Sequence, residues 1–206
     1  MNGLSIPHGT KGDDRKTKMR FEKAIDFTMQ WEGWISNDPD DPGGITKYGI
    51  SLRFLRGVDK SLGDVDGDGD VDADDILALT PAKARELYRA NFWEPLGLDH
   101  THVLLALPLF DTAVNMGRRR AVTICQETIC DLGHPVAVDG VMGPRTREGA
   151  LAVLTTRHRE IGDRFCLRRC EHYSAIAENN PRLGRYMRGW VKRTVALAEA
   201  IRKELW

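Results

Sequence analysis

Over most of the chain, apolar positions recur at helical spacing. Phe21, Ile25 and Met29 fall on one stripe with Glu32 at its end, and Gly33 supplies a stop, so a first helix should close there. From Trp34 to Ile50 the pattern breaks; Asp, Pro and Gly crowd the segment and predict turns with a short β-hairpin. Thr80 before Pro81 marks a new start, the threonine as N-cap and the proline in the first turn, for a helix reaching about Trp93. An apolar helix is expected over Leu104 to Met116, closed by Gly117. Another runs from Arg118 to Leu132, closed by Gly133. Asp139 to Thr146 reads as a turn into a helix that starts near Pro144. Two amphipathic helices, Arg159 to Ala177 and Arg185 to Leu205, complete the pattern. Strand signals are scarce. The expected fold is mainly α, a helical core with one small β-hairpin beside the helix that carries Glu32.

A chain of 206 residues can bury one substantial core, or a lobe with a smaller companion. Lys plus Arg and Asp plus Glu stand at 30 each, so no global field points to nucleic acid or to an anionic membrane. Charge is local instead. Asp64 to Asp75 is almost wholly acidic, while Arg118 to Arg120 and the C-terminal half lean basic, which suits either a polyanionic partner or solvated helix faces. No apolar run approaches the ~20 residues of a membrane span, so no membrane insertion is expected. Residues 1–18 are polar, without the apolar stretch of a secretory signal, and are expected to form a flexible tail. Cys125, Cys130, Cys166 and Cys170 lie at spacings unlike those of zinc ribbons. They fit helical stripes as small packing residues better than a zinc site or a disulfide pair.

Glu32 is distinctive on physical grounds. It ends an apolar stripe at the C-terminal end of its helix, where partial burial and the negative end of the helix dipole both disfavour its charge. A carboxyl group that keeps its proton near neutral pH is what a general acid requires. A side chain turned outward to solvent is the competing reading. Asp41 follows nine residues later and Thr46 five beyond that, within a glycine-rich hairpin.

The run from Trp31 to Ser51, WEGWISNDPDDPGGITKYGIS, resembles the signature of the glycoside hydrolase family 108 muramidases. More loosely, it is similar to the Glu-Asp-Thr arrangement of phage lysozymes. Leu79 to Tyr88 with Phe92 and Trp93 resembles the family's second helix, and Phe110 to Gly117 a helix whose Asp111 and Asn115 share one face. The resemblance implies a lysozyme-like α+β fold in which Glu32 is the acid, while Asp41 and Thr46 position water or stabilise an oxocarbenium-like transition state. Asp38 and Asp40 share the turn with Asp41 and stay open as alternatives. On the same grounds Asn115 is a candidate for binding sugar groups, or else half of a structural pair with Asp111. Tyr48 and Trp34 either stack on sugar or pack the hairpin. Beyond Gly117, Cys125-Gln126, Asp139-Gly140, Gly143-Pro144 with Thr146, and Gly189-Trp190 with Arg193 resemble a predicted peptidoglycan-binding region joined to this family.

The acidic loop carries a second kind of chemistry. Asp64, Asp66, Asp68, Asp72 and Asp75 fall at positions one, three, five, nine and twelve of a calcium-loop template, as in EF-hand and dockerin loops. Gly69 fills the sixth position and the Asp70 carbonyl the seventh. The expected ion is a structural Ca²⁺, and no metal is expected for catalysis. A solvated acidic loop is the alternative.

The expected organisation is a tail over 1–18, a lysozyme-like catalytic region over 19–117 with the calcium loop at 64–75, and a helical wall-binding-like region over 118–206. The implied activity is hydrolysis of the β-1,4 bond between N-acetylmuramic acid and N-acetylglucosamine in peptidoglycan, by a monomer. The implied route is synthesis in the cytoplasm and release to the wall through a partner pore (holin). A lytic transglycosylase, a chitinase-like glycosidase, a non-catalytic wall-binding protein and a dockerin-like interaction protein are the competing readings.

Overall fold

The computed structural model describes residues 11–33, 35–36 and 45–205, with side chains over 18–33 and 45–205. Helix α1 spans Lys11–Met29, so it begins inside the stretch expected as a tail. It also ends earlier than the periodicity implies. Its last turn tightens, Gln30 N donating to Phe27 O at 3.3 Å and Trp31 N to Thr28 O at 3.0 Å, and Glu32 lies in the bend beyond. The expectation that the helix itself carries Glu32 to a stop at Gly33 is thereby corrected.

Strand β1 (Ile35–Ser36) pairs antiparallel with β2 (Thr46–Lys47), and β2 with β3 (Ile50–Ser51), giving three short strands instead of one hairpin. Lys47 opposes Ile50, which leaves Tyr48 and Gly49 as a two-residue turn. Both have positive φ, +53° and +75°, the requirement of the turn whose twist matches the strands it joins.

Short helices follow: α2 (Leu52–Leu55), capped by Ser51; α3 (Lys60–Gly63), capped by Asp59; and, after the acidic loop, α4 (Ala73–Ala78). Helix α5 (Pro81–Tyr88) starts as expected, Thr80 Oγ1 accepting from Lys83 N at 3.1 Å, and a π turn over Arg89–Trp93 extends it. Helices α6 (Val103–Met116) and α7 (Arg118–Asp131) are separated by Gly117, φ +86°, and Gly133 at φ +90° follows α7. Helix α8 (Pro144–Asn179) is broken at Arg157, where the backbone leaves helical values, so the two helices read from the periodicity meet at a kink. A 3₁₀ turn over Pro181–Tyr186 leads into α9 (Met187–Lys203).

The mainly helical fold with a small antiparallel sheet is as expected. Its centre is α6, whose residues from Leu104 to Ala113 are all buried. The apolar run from Leu104 to Phe110 leaves no solvent face over this stretch, and α1, α7, α8 and α9 pack around the helix. Phe21 of α1 meets Trp93 and Phe110 edge-on, with centroids 5.3 and 5.9 Å apart. One cluster of buried side chains runs from Phe21 and Ile25 through Phe110, Ile124 and Phe165 to Leu197 and Ile201. The N- and C-terminal halves therefore share a single core.

The four cysteines are free thiols; Cys125 and Cys166 pack within the core, where burial pushes each thiol up to about 12. Cys130 Sγ meets the backbone of Val136.

Candidate active site

Three elements distant in sequence converge on Glu32. The first is the Tyr48–Gly49 turn. A Cβ at Gly49 would lie 2.6 Å from Glu32 Oε2 and 2.5 Å from the Tyr88 hydroxyl, so only glycine lets the turn close on both. The second is α5, whose last residue Tyr88 is buried and donates its hydroxyl to Tyr48 O at 2.9 Å. Burial, followed by the neighbouring Glu32 charge, pushes the Tyr88 phenol far up, so it stays protonated and remains a donor. The third is α9, from which Arg193 Nη1 donates to Glu32 Oε1 at 2.9 Å.

Behind Glu32 lies a buried ionic network. Arg193 Nη2 and Nε fork onto the Asp111 carboxylate, the former at 2.7 Å. Arg169 Nη1 donates to the other Asp111 oxygen at 2.6 Å, and Thr28 Oγ1 donates to Oδ1 at 3.1 Å. The Asp111 and Arg169 side chains are wholly buried. Burial works against the Asp111 charge, but the two guanidiniums outweigh it and hold the carboxyl below the usual range. Arg169 also donates to the Tyr173 hydroxyl at 3.2 Å, and that hydroxyl donates to Asn115 Oδ1 at 2.6 Å. Tyr173 is fixed in turn by stacking on Trp190, centroids 4.8 Å apart.

The Glu32 side chain keeps 19% of its exposure, against 7% for Arg193. Desolvation is the largest influence on its carboxyl and pushes it above the ordinary range; the Arg193 charge and hydrogen bond oppose the rise, and Asp111 adds to it. A partly buried carboxyl group held above its ordinary range, with part of its surface still open, is better suited to donating a proton than a free carboxylate.

Of the residues singled out in the sequence, Glu32, Thr46 and Tyr48 are brought to one side: Thr46 lies on β2, the strand that leads into the Tyr48–Gly49 turn against Glu32. Tyr48 is half-buried against the core. Asp38, Asp40, Asp41 and Trp34 lie outside the described residues. Asn115 is exposed on α6 and is linked to Glu32 through Tyr173, Arg169, Asp111 and Arg193. Asp111 is a buried structural anion. Sequence reasoning placed none of Arg169, Arg193, Tyr88 or Gly49 at the site. The one available signal was charge at interior positions of α8 and α9, where arginine needs a buried counterion.

In the acidic loop the carboxylates organise their own backbone. Asp64 accepts from Gly67 N and Gly69 N at 2.8 and 3.1 Å. The buried Asp75 accepts from Val65 N, Asp66 N and Asp72 N, tying the two ends of the loop together. Oxygens of Asp64, Asp66 and Asp68, and separately of Asp70, Asp72 and Asp75, lie within 4.8 Å of one another. The Asp70 carboxyl is pushed up chiefly by the charge of Asp68, with Asp72, Asp75 and Asp66 adding to it.

Residues 25–117 match the family model described as Glycosyl hydrolase 108. They form a glycosyl hydrolase 108 domain. Residues 120–195 match a second model, Predicted Peptidoglycan domain, so Arg169 and Arg193 belong to that domain, while Glu32 and Asp111 belong to the hydrolase domain. The chain is similar to the structure of Brucella abortus SagA, with a TM-score of 0.67 and 27% identity over 89% of this chain and 94% of that one. No curated protein matches the sequence.

The glycosyl hydrolase 108 and peptidoglycan domains together indicate a glycosidase that degrades peptidoglycan. A concavity of about 950 Å³ lies away from Glu32, in the peptidoglycan domain. His134, Val136, Asp139, Arg145 and Ala152 help to line it. Glu32, with its raised carboxyl and buried charge partners, lies outside that concavity.

Proposed function

We propose that the protein is a muramidase that hydrolyses the β-1,4 bond between N-acetylmuramic acid and N-acetylglucosamine, with Glu32 as general acid. The observation that carries this reading is the carboxyl of Glu32, raised by burial at the edge of the Tyr48–Gly49 turn within a glycosyl hydrolase 108 domain. Glu32 gives its proton to the glycosidic oxygen as the bond to the anomeric carbon breaks, and positive charge develops on the sugar ring. Thr46, with one of Asp38, Asp40 and Asp41, positions the attacking water or stabilises that charge. Tyr48 contacts the sugar from the turn and Asn115 offers its amide to sugar substituents. The peptidoglycan domain adds wall contacts. Among the described residues no helix is long and apolar enough to cross a membrane, and the proposed site of action is the cell wall.

The acidic loop is proposed to hold one structural Ca²⁺ through Asp64, Asp66, Asp68, Asp72 and Asp75 with the Asp70 carbonyl. Its all-oxygen donor set fits a hard cation; Asp64 Oδ1 and Oδ2 and Asp75 Oδ2, which each accept one N–H, keep a lone pair for a metal, whereas Asp75 Oδ1 accepts two. The ion would relieve the crowding of like charges there and take no part in proton transfer.

Mass spectrometry of fragments released from purified peptidoglycan tests the reaction. Products with a reducing N-acetylmuramic acid end are expected. A 1,6-anhydro end would replace this reading with a lytic transglycosylase, and an intact polymer would leave a wall-binding protein.

A further inference from the structure

The side chain nearest in charge to Glu32 does not come from the hydrolase domain. Arg193 lies on α9, within the peptidoglycan domain, and its Nη1 is 2.9 Å from Glu32 Oε1. It has no freedom to swing away. Its Nε and Nη2 are forked onto Asp111, and Asp111 is pinned from the other side by Arg169 and Thr28. A lysine has one donor centre and no fork with which to hold both carboxylates in this way.

The geometry has two chemical consequences. In a protonated Glu32 the hydrogen bond that Oε1 accepts from the guanidinium favours the proton on Oε2, the oxygen against Gly49 and the Tyr48–Gly49 turn, because the carbonyl oxygen is the better acceptor. The second concerns charge. With Glu32 protonated, Asp111 is the one buried anion that faces Arg169 and Arg193 among the described residues, and the cluster is one negative charge short. When Glu32 gives up its proton, the new carboxylate beside Arg193 makes up that deficit. Burial favours the protonated carboxyl, and the Arg193 cation favours the carboxylate left after transfer. Among the described residues, the titratable groups facing Glu32 are Arg193 from α9, Asp111 from α6 and Tyr88 from α5, with Gly49 adding only backbone from the turn.

We propose that Arg193 is a positioning residue for Glu32, placing its transferable proton on Oε2 and stabilising the carboxylate left after transfer, so that the peptidoglycan domain completes the hydrolase site. This inference rests on Glu32 being the acid.

The test is the pH dependence of kcat and KM for the full chain on soluble peptidoglycan fragments, for wild type, Glu32→Gln, Arg193→Lys and Arg193→Gln. In Arg193→Gln the loss of the cation makes Glu32 a weaker acid, so the basic limb of the kcat profile should move up by about one pH unit or more. Its maximum should fall about tenfold or more, with KM changed much less. Arg193→Lys keeps a cation next to Asp111, so its limb should lie near that of wild type and its kcat should be partly restored. If Arg193→Gln fails to fold, Arg193→Lys carries the test through a fall in kcat at unchanged KM. A folded Arg193→Gln with an unmoved limb and a kcat within about twofold of wild type overturns the proposal; without that variant, a wild-type kcat in Arg193→Lys does so. An active Glu32→Gln would instead overturn the reading of Glu32 itself, and so separates the two failures.

Discussion

Glu32 Oε2 lies where a side chain on Gly49 would begin. A Cβ at that position would come within 2.6 Å of the carboxylate oxygen and 2.5 Å of the Tyr88 hydroxyl, at a φ of +75° that disfavours any L side chain. Gly49→Ala should therefore displace the candidate acid from the turn. Because a shift of about 1 Å in a reacting group can cost about 10²-fold, turnover of peptidoglycan should drop by that order. The melting temperature should also fall, since the left-handed backbone alone costs an L-residue about 1–2 kcal/mol. Turbidity assays beside thermal melts read both, and unimpaired lysis would mean that the turn does not position Glu32.

Glu32→Gln removes the transferable proton while Gln Oε1 can still accept from Arg193. The fold should survive, with lysis reduced by about 10²–10⁴-fold, the usual contribution of general acid catalysis. A folded variant with near-native lysis would remove Glu32 from the mechanism.

Asp111 and Glu32 shift in opposite directions, and so do their effects on stability. The folded Asp111 carboxyl lies below the usual range, so its contribution is present above the ordinary Asp value and is lost as pH falls through the folded one. For Glu32 the folded value is raised, so its contribution is present below the ordinary Glu value and lost as pH rises through the folded one. Asp111→Asn should cost about 3–5 kcal/mol at neutral pH, because it leaves two arginines short of a buried counterion. It should also flatten the loss of stability in acid. Denaturant melts at neutral and acidic pH measure both effects, and a neutral substitution would show that the network is unimportant for the fold.

Removing calcium should act on stability before activity. If the acidic loop holds one ion, chelator should lower the melting temperature and Asp68→Ala should mimic the chelator. At low temperature the chelated protein should keep part of its activity, because Glu32 lies outside the loop. A melting point unchanged in excess chelator would reduce the loop to a solvated acidic surface. Complete loss of activity in a chelated protein that is still folded would mean that the ion shapes the site.

Ending the chain at Gly117 should expose the face of α6 that α7, α8 and α9 cover, and leave Asp111 without either arginine. Such a fragment should be insoluble, or lack a cooperative melt. A soluble, two-state fragment would show that the hydrolase domain folds alone.

Punctuation in the sequence was legible to within a residue or two. Thr80 with Pro81 starts α5, and Gly117 and Gly133 sit at the ends of α6 and α7, because capping and left-handed backbone are local demands. Glu32 stood out for the same reason, as a carboxyl at the end of an apolar stripe. The end of α1 was misplaced because the periodicity continues through Trp31 and Glu32 after the backbone has already tightened at Gln30. The partners of Glu32 were not legible. Periodicity assigns a residue to a face but does not say which distant helix will meet that face. Arg193 is drawn to Glu32 across 161 positions by the burial of Asp111, an event of tertiary packing.

The Asp111–Arg193 fork also bears on how such a chain can be varied. It crosses the boundary at Gly117 and ties a carboxylate of one domain to a cation of the other. The likeness to SagA likewise spans both sides of that boundary. Replacing the second domain with an unrelated wall-binding module would therefore do more than change where the enzyme adheres. It would strand Asp111 and remove the cation beside Glu32, so if Glu32 is the acid, as proposed, targeting and chemistry would not be exchangeable independently.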